Sequence, residues 1–188
     1  MRITGGKARG IPLVSIQDKT LRPATDCLRE ALFSSLSSWI YGKVFLDLFS
    51  GTGSYGLEAL SRGAQSGVFV EKSSRIVDIL RLNIQAVAKS LRKQPAPCKI
   101  IHHDIWHLNL LAEWKFDIIF LDPPFNLSRV KAQELLNHAS SFLKDDRNSK
   151  ICFELPADIE APSHDLRWVK RIGKTTGQSP TIVLYEAR

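Results

Sequence analysis

From Val44 onward the chain alternates short apolar runs with stretches of helical periodicity, and this alternation restricts the fold more than any other feature. Apolar runs of four to eight residues suit fully buried strands, and strands separated by helical patterns give a parallel sheet with helices on both faces. The runs predict strands near residues 44–48, 67–71, 98–102, 117–121, 150–154, 166–172 and 180–186. The periodic stretches predict helices near 54–62, 73–90, 105–112 and 128–143, with Ser73, Ser74 and Ser128 suited to cap them. The expectation is an α/β fold built on one seven-stranded, mostly parallel sheet.

The first forty residues differ. Gly5-Gly6 and Gly10 interrupt a short apolar and basic stretch, which predicts a hairpin. A helix then starts near Thr25 or Asp26 and carries Leu28, Leu32, Phe33 and Leu36 on one side. Residues 1–40 therefore read as a basic extension packed on a domain spanning 41–188, the whole forming one unit. A chain of 188 residues can bury one sizeable core and demands no second.

Composition narrows the class. No apolar run is long enough to span a bilayer, and the N-terminus lacks a charged-then-apolar signal segment. Cys27, Cys98 and Cys152 are scattered and odd in number, which argues against a disulfide framework and a zinc site and fits a reducing, cytoplasmic setting. His102 and His103 point to opposite faces of a strand, so they do not share one ion, and no metal is expected. The net charge is +7. Residues 1–29 hold six basic and two acidic side chains, and residues 166–188 hold five and one, so each end carries +4 and the stretch between carries −1. Basic ends around a neutral core suit a polyanionic substrate held by its phosphates, although a basic surface kept for solubility has the same composition.

Two motifs carry chemistry. The first is Asp122-Pro123-Pro124-Phe125, directly after the strand ending at Leu121. In open α/β sheets ligands bind at the carboxyl ends of the strands. Two prolines stiffen the backbone and give up two N–H groups, leaving carbonyls available to accept. A carboxylate beside a bare carbonyl suits an exocyclic amine, and Phe125 offers a face for a heteroaromatic ring. A strand-ending turn accounts for the same tetrapeptide.

The second motif is Asp47-Leu48-Phe49-Ser50-Gly51-Thr52-Gly53, which leads from the first strand into a helix. Its glycines let the backbone approach a ligand, and the helix start offers unpaired N–H groups. Gly51, Gly53 and Gly56 also spell the dinucleotide fingerprint, with Glu71 twenty residues past Gly51. Against a dinucleotide, Asp47 places a carboxylate where a pyrophosphate would lie, whereas a cationic sulfonium or ammonium favours it. A dinucleotide also leaves Asp122 to Phe125 without a role.

Together the motifs resemble those of the class I S-adenosylmethionine-dependent methyltransferases that methylate amines. The resemblance sharpens at Ile3-Thr4-Gly5-Gly6-Lys7-Ala8-Arg9-Gly10, Leu21-Arg22-Pro23-Ala24-Thr25-Asp26, Arg29-Glu30-Ala31-Leu32-Phe33 and Ser61-Arg62-Gly63-Ala64. These segments are similar to the RsmD-type ribosomal RNA methyltransferases, which act on the N2 amine of a guanine in small-subunit (16S) ribosomal RNA. The similarity covers nearly the whole chain and is loosest from Gly177 to Tyr185. Ala24 departs from the Arg-Pro-Thr usual in the family.

The resemblance implies a Rossmann-like class I methyltransferase fold with S-adenosylmethionine as cofactor. It implies catalytic positions at Asp122, Pro123, Pro124 and Phe125. Cofactor contacts are expected at Asp47, Phe49, Ser50, Gly51, Thr52, Gly53, Glu71, Lys72, Asp104 and Ile105, with Glu71 on the ribose and Asp104 and Ile105 at the adenine. Substrate contacts are expected at Arg2, Lys7, Arg9, Arg22 and Asn126, the partner being ribosomal RNA or a small-subunit assembly particle. Methylation of an adenine N6 in DNA or RNA, methylation of a protein glutamine amide, and a non-catalytic RNA-binding module are the rival readings. No sequence feature indicates an oligomeric state.

Overall fold

The computed structural model describes residues 1–15, 25–108, 111 and 113–188. Arg22 and Ala24 lie outside these residues. The chain forms α1 (Thr25–Leu36), a 3₁₀ turn (Ser37–Ile40), β1 (Val44–Leu48), α2 (Ser54–Ser61), β2 (Ser66–Glu71) and α3 (Ser74–Ser90). It continues through β3 (Cys98–His102), a second 3₁₀ turn (Ile105–His107), β4 (Ile118–Leu121), α4 (Phe125–Ser140), β5 (Lys150–Pro156), β6 (Arg167–Ile172) and β7 (Pro180–Glu186).

The seven strands form one sheet in the order β3-β2-β1-β4-β5-β7-β6. The first five are parallel, while β7 runs antiparallel to both β5 and β6. The order reverses between β1 and β4, which makes the carboxyl ends of those strands a switch point where a crevice opens. Alternate residues of each strand feed two apolar layers. Phe45, Phe69, Phe120 and Cys152 pack towards α1, α2 and α3. Leu46, Val68, Leu121 and Phe153 face the opposite layer with Leu135 and Leu136 of α4. Strands covered on both faces are apolar throughout, which is why they read as continuous runs.

Residues 1–13 fold back as a hairpin. The Ile3 N–H donates to the Ile11 carbonyl at 3.0 Å, and the Leu13 N–H to that of Met1 at 3.1 Å. Ile3, Ala8 and Leu13 are buried in the same core as Leu32 and Phe33. Among the described residues, no helix is long and apolar enough to cross a membrane.

Two predicted elements shift. The helix expected over 105–112 is, in its described part, the 3₁₀ turn Ile105–His107 and a 3₁₀ residue at Leu111, the turn opened by the Asp104 carboxylate accepting the Trp106 N–H at 3.1 Å. The helix expected from Ser128 starts at Phe125, with Pro124 at its N-cap. A proline N-cap has no N–H to strand, and its carbonyl takes the Leu127 and Ser128 N–H groups at 2.9 and 3.1 Å. Ser128 is therefore inside the first turn, buried, with its hydroxyl on the Phe125 carbonyl at 3.1 Å.

Candidate active site

The turn after β1 is held by its own backbone and by three buried side chains. The Ser50 hydroxyl donates to the carbonyls of Asp47 and Val70 at 2.6 and 3.0 Å, stitching the loop to β1 and β2. Phe49, Gly51 and Gly53 have left-handed backbones, with φ of 60°, 54° and 90°. At Gly53 a Cβ would lie 2.5 Å from Leu80 Cδ1, so the position admits only glycine on both counts.

Asp47 is 1 % exposed, and its Oδ2 accepts the Gly56 N–H at 2.9 Å in the first turn of α2. Burial pushes its carboxyl up to about 7; the Gly56 hydrogen bond opposes that rise and the Glu71 carboxylate adds to it. Asp47 thus lies beneath the loop as its anchor. Ser50, Thr52 and Gly53 likewise support the turn from behind. The Thr52 carbonyl accepts the Asn83 amide at 2.9 Å.

In front of the loop lies a cleft of about 540 Å³ at the carboxyl ends of β1, β2, β4 and β5. Its wall brings together Phe49, Gly51, Glu71, Lys72, Asp104 and Ile105 with the whole of Asp122-Pro123-Pro124-Phe125. The two motifs, 71 residues apart when counted from Gly51 to Asp122, therefore face one space. Glu71 closes β2, and its two oxygens accept the Gly51 and Ser73 N–H groups at 3.0 and 2.8 Å. A carboxylate has about four acceptor positions, so it remains suited to a diol from the cleft side. Ile105 is a buried apolar wall beside Asp104.

The proline carbonyls are not equivalent. That of Pro124 starts α4 and is occupied by the Leu127 and Ser128 N–H groups, as described, whereas that of Pro123 lies outside the helix. Asn126 is exposed, and its side chain accepts the N–H of Leu127 at 3.0 Å rather than lining the cleft.

Arg2, Lys7 and Arg9 are exposed on the hairpin. The Lys7 backbone N–H bonds the Ser61 carbonyl at 2.8 Å, at the far end of α2 from the cleft. Arg22 lies outside the described residues. Arg29, counted among the basic N-terminal charges, is buried and turned inward. It donates to the Arg2 carbonyl at 2.6 Å and to Asp26 at 2.8 Å, and approaches Glu58 at 3.4 Å.

Three residues of the site escape sequence reasoning. Glu154 of β5 lines the cleft, and its Oε2 accepts the Tyr55 hydroxyl at 2.5 Å. Asn83 reads as one polar residue on a helix face, yet it is 1 % exposed. It exchanges two hydrogen bonds with the Val14 backbone, at 2.8 and 2.9 Å, besides the one to Thr52. Glu58 is fully buried and accepts from Thr4, Gly5 and Arg62, each at 2.8 Å. The described residues hold no group of three side chains arranged for a metal ion. His102 and His103 instead meet the carbonyls of Lys72 and Asp104 at 3.1 and 3.3 Å.

The chain matches a family model described as conserved hypothetical protein 95 over residues 1–186. It is 30% identical over 181 residues to the ribosomal RNA small subunit methyltransferase D of Haemophilus influenzae, covering 94% of this chain and 89% of that one. The protein of the same name from Escherichia coli is 28% identical over 178 residues, covering 95% and 86%. Among solved structures, the yhhF protein of Escherichia coli, described provisionally as a methyltransferase, superposes with a TM-score of 0.78 at 28% identity, covering 100% of this chain and 97% of that one.

Proposed function

The chain belongs to the conserved hypothetical protein 95 family, and on that premise we propose that it is an S-adenosylmethionine-dependent methyltransferase acting on the N2 amine of a guanine in small-subunit ribosomal RNA. One observation carries the reading. The amine-suited tetrapeptide Asp122 to Phe125 and the glycine turn with Glu71 open into the same cleft.

The residues present fit the cofactor. A volume of about 540 Å³ lies within the range of roughly 300–1,000 Å³ expected for such ligands. Glu71 would hold the ribose hydroxyls, with Asp104 and Ile105 against the adenine and Phe49, Gly51 and Lys72 around the remainder. Asp47 contributes through the turn it anchors. When bound, the cofactor supplies a methyl group made electrophilic by a sulfonium and departs as a neutral thioether.

The chain's task is then to present nitrogen. A guanine N2 amine is conjugated with its ring, so its lone pair is poorly available. The Asp122 carboxylate and the Pro123 carbonyl accept its two N–H bonds and turn the lone pair towards the methyl carbon. Phe125, at the start of α4, supports the base after it leaves its stack. As the N–C bond forms the nitrogen becomes cationic, and Asp122 offsets that charge and accepts the proton shed. Most of the acceleration comes from alignment, for which well-oriented reactions gain on the order of 7–11 kcal/mol.

Arg2, Lys7 and Arg9 hold RNA phosphates away from the cleft, in a cytoplasmic setting. The test is mass spectrometry of ribosomal RNA nucleosides from cells with and without the gene, followed by methylation of that RNA by the purified protein. Loss of N2-methylguanosine restored by the protein is expected. Unchanged guanosine methylation in cells lacking the gene refutes the assignment.

A further inference from the structure

Glu154 has no part in the reading so far, yet it stands next to Asp122. Leu121, the last residue of β4, pairs with Phe153 of β5, so Asp122 and Glu154 each directly follow a member of that pair. Neighbouring strands lie about 4.8 Å apart. Leu121 and Phe153 face one apolar layer and Phe120 and Cys152 the other. Side chains alternate along a strand, so Glu154 emerges on the Cys152 side of β5, and Asp122, just past the end of β4, lines the same cleft.

Tyr55 of α2 fixes the second carboxylate. Its ring stacks on Phe120, with centroids 5.6 Å apart and planes 18° from parallel, and its hydroxyl reaches Glu154. Burial raises the Tyr55 hydroxyl well above its ordinary range, and the carboxylates of Glu154 and Asp122 push the same way, so it stays a donor. Glu154 is only 6 % exposed and yet lines the cleft. A carboxylate at that depth is held by the donors that meet it, and a ligand donor arriving from the cleft adds to them.

Guanine and adenine differ at just such a place. Beside its N2 amine guanine presents the N1–H donor, whereas the ring nitrogen beside the adenine amine is an acceptor. Two carboxylates side by side match the first edge and repel the second. We infer that Glu154 accepts the N1–H of the target guanine while Asp122 and the Pro123 carbonyl hold its N2 amine, which makes Glu154 the residue that selects guanine. The inference rests on the guanine-N2 reading above. Tyr55 is its positioning residue.

The experiment uses small-subunit ribosomal RNA in which the methylated guanine, once mapped, is replaced by 2-aminopurine through RNA ligation. This base keeps the 2-amino group but has an acceptor at N1. Wild-type protein is expected to methylate guanine at least about a hundredfold faster (kcat/KM), since a site built around a hydrogen bond rejects the analogue lacking it. In Glu154→Gln the side-chain amide donates to the acceptor N1, and the preference should fall below about tenfold. Tyr55→Phe removes the hydroxyl that holds Glu154 and should lower the preference by roughly tenfold, a change of ratio that a purely structural role does not cause. Equal rates on both RNAs with wild-type protein overturn the role of Glu154 and leave the guanine reading standing. A preference unmoved in both variants also overturns it. Failure of wild-type protein to methylate the unmodified RNA instead overturns the reading on which the inference rests.

Discussion

Replacing Asp47 by Asn should stabilise the protein, and more so as pH rises. The carboxyl is buried, and its side chain is raised from 3.8 to about 7 by that burial, with the Gly56 N–H opposing and Glu71 adding. An acid whose folded value is raised binds its proton more tightly when folded. Its contribution is fully present below the unfolded value and is lost as pH climbs towards the folded one. At about 1.36 kcal/mol per pKa unit the complete loss is roughly 4 kcal/mol, and integration between pH 5 and pH 8 gives about 2–3 kcal/mol of it. Asn retains an oxygen for the Gly56 N–H, so the anchor survives while the titration disappears. Urea unfolding of both proteins, followed by the fluorescence of the four tryptophans, measures the difference at each pH. Groups that do not interact with Asp47 titrate alike in both and cancel, and the Glu71 coupling is the smallest of the causes that shift Asp47. The stability of Asp47→Asn relative to wild type should therefore grow by about 2–3 kcal/mol from pH 5 to pH 8. A difference that stays flat or shrinks refutes the buried, proton-retaining carboxyl.

Asp122→Ala should bind S-adenosylmethionine nearly as wild type does, while single-turnover methyl transfer falls by at least about a hundredfold. A wild-type rate removes Asp122 from the amine. Removing charge at Lys7 and Arg9 together should weaken RNA binding and flatten the plot of log affinity against log salt by roughly 0.7–0.9 for each phosphate no longer neutralised, with cofactor affinity unchanged. An unaltered slope moves RNA recognition elsewhere on the surface. Asn83→Ala breaks three part-buried hydrogen bonds of a buried side chain and should cost about 1–3 kcal/mol in urea unfolding and weaken cofactor binding, because the Thr52 carbonyl loses its donor. A cost below about 0.5 kcal/mol, as for a surface substitution, contradicts that bridge.

The sheet was legible chiefly because its inner strands, such as β1, β2, β4 and β5, are covered on both faces and leave apolar runs, whereas β3 and β6 at the edges are partly exposed. The insertion of β7 between β5 and β6 was not, since strand pairing is decided by interactions far apart in sequence. Ser128 is a good cap in isolation, which draws the expected start of α4 to it, whereas the two prolines set the backbone for a helix three residues earlier. The cleft motifs were visible because they are local: a tetrapeptide and a turn. Glu154, Asn83 and Glu58 were invisible for the opposite reason. Each is an ordinary residue in its own segment and gains its role from partners 99, 69 and 54 positions away. The N-terminal charge also overstates what is open to RNA, because Arg29 turns into the core instead of facing solvent.

Those distant partners change what the N-terminal hairpin is. Glu58 grips Thr4 and Gly5, and the Ser61 hydroxyl and carbonyl hold Ala8 and Lys7, so the hairpin lies along α2. At Gly6 a Cβ would lie 2.1 Å from the Ser61 carbonyl oxygen, a closeness that only glycine permits. At its other end Asn83 ties Val14 to Thr52, behind the turn that opens the cleft. The helix that starts beside the cleft thus ends beside Lys7. Eight residues at 1.5 Å each make it about 12 Å long. On the proposed reading, RNA held by Lys7 and Arg9 and methylated at Asp122 would run along α2 for about that length. A free nucleoside is too short to do so. A rigid ruler of this kind would select its substrate by the shape in which RNA presents one base and a distant phosphate together. On that reading affinity and chemistry would come from separate residues, coupled through one short helix.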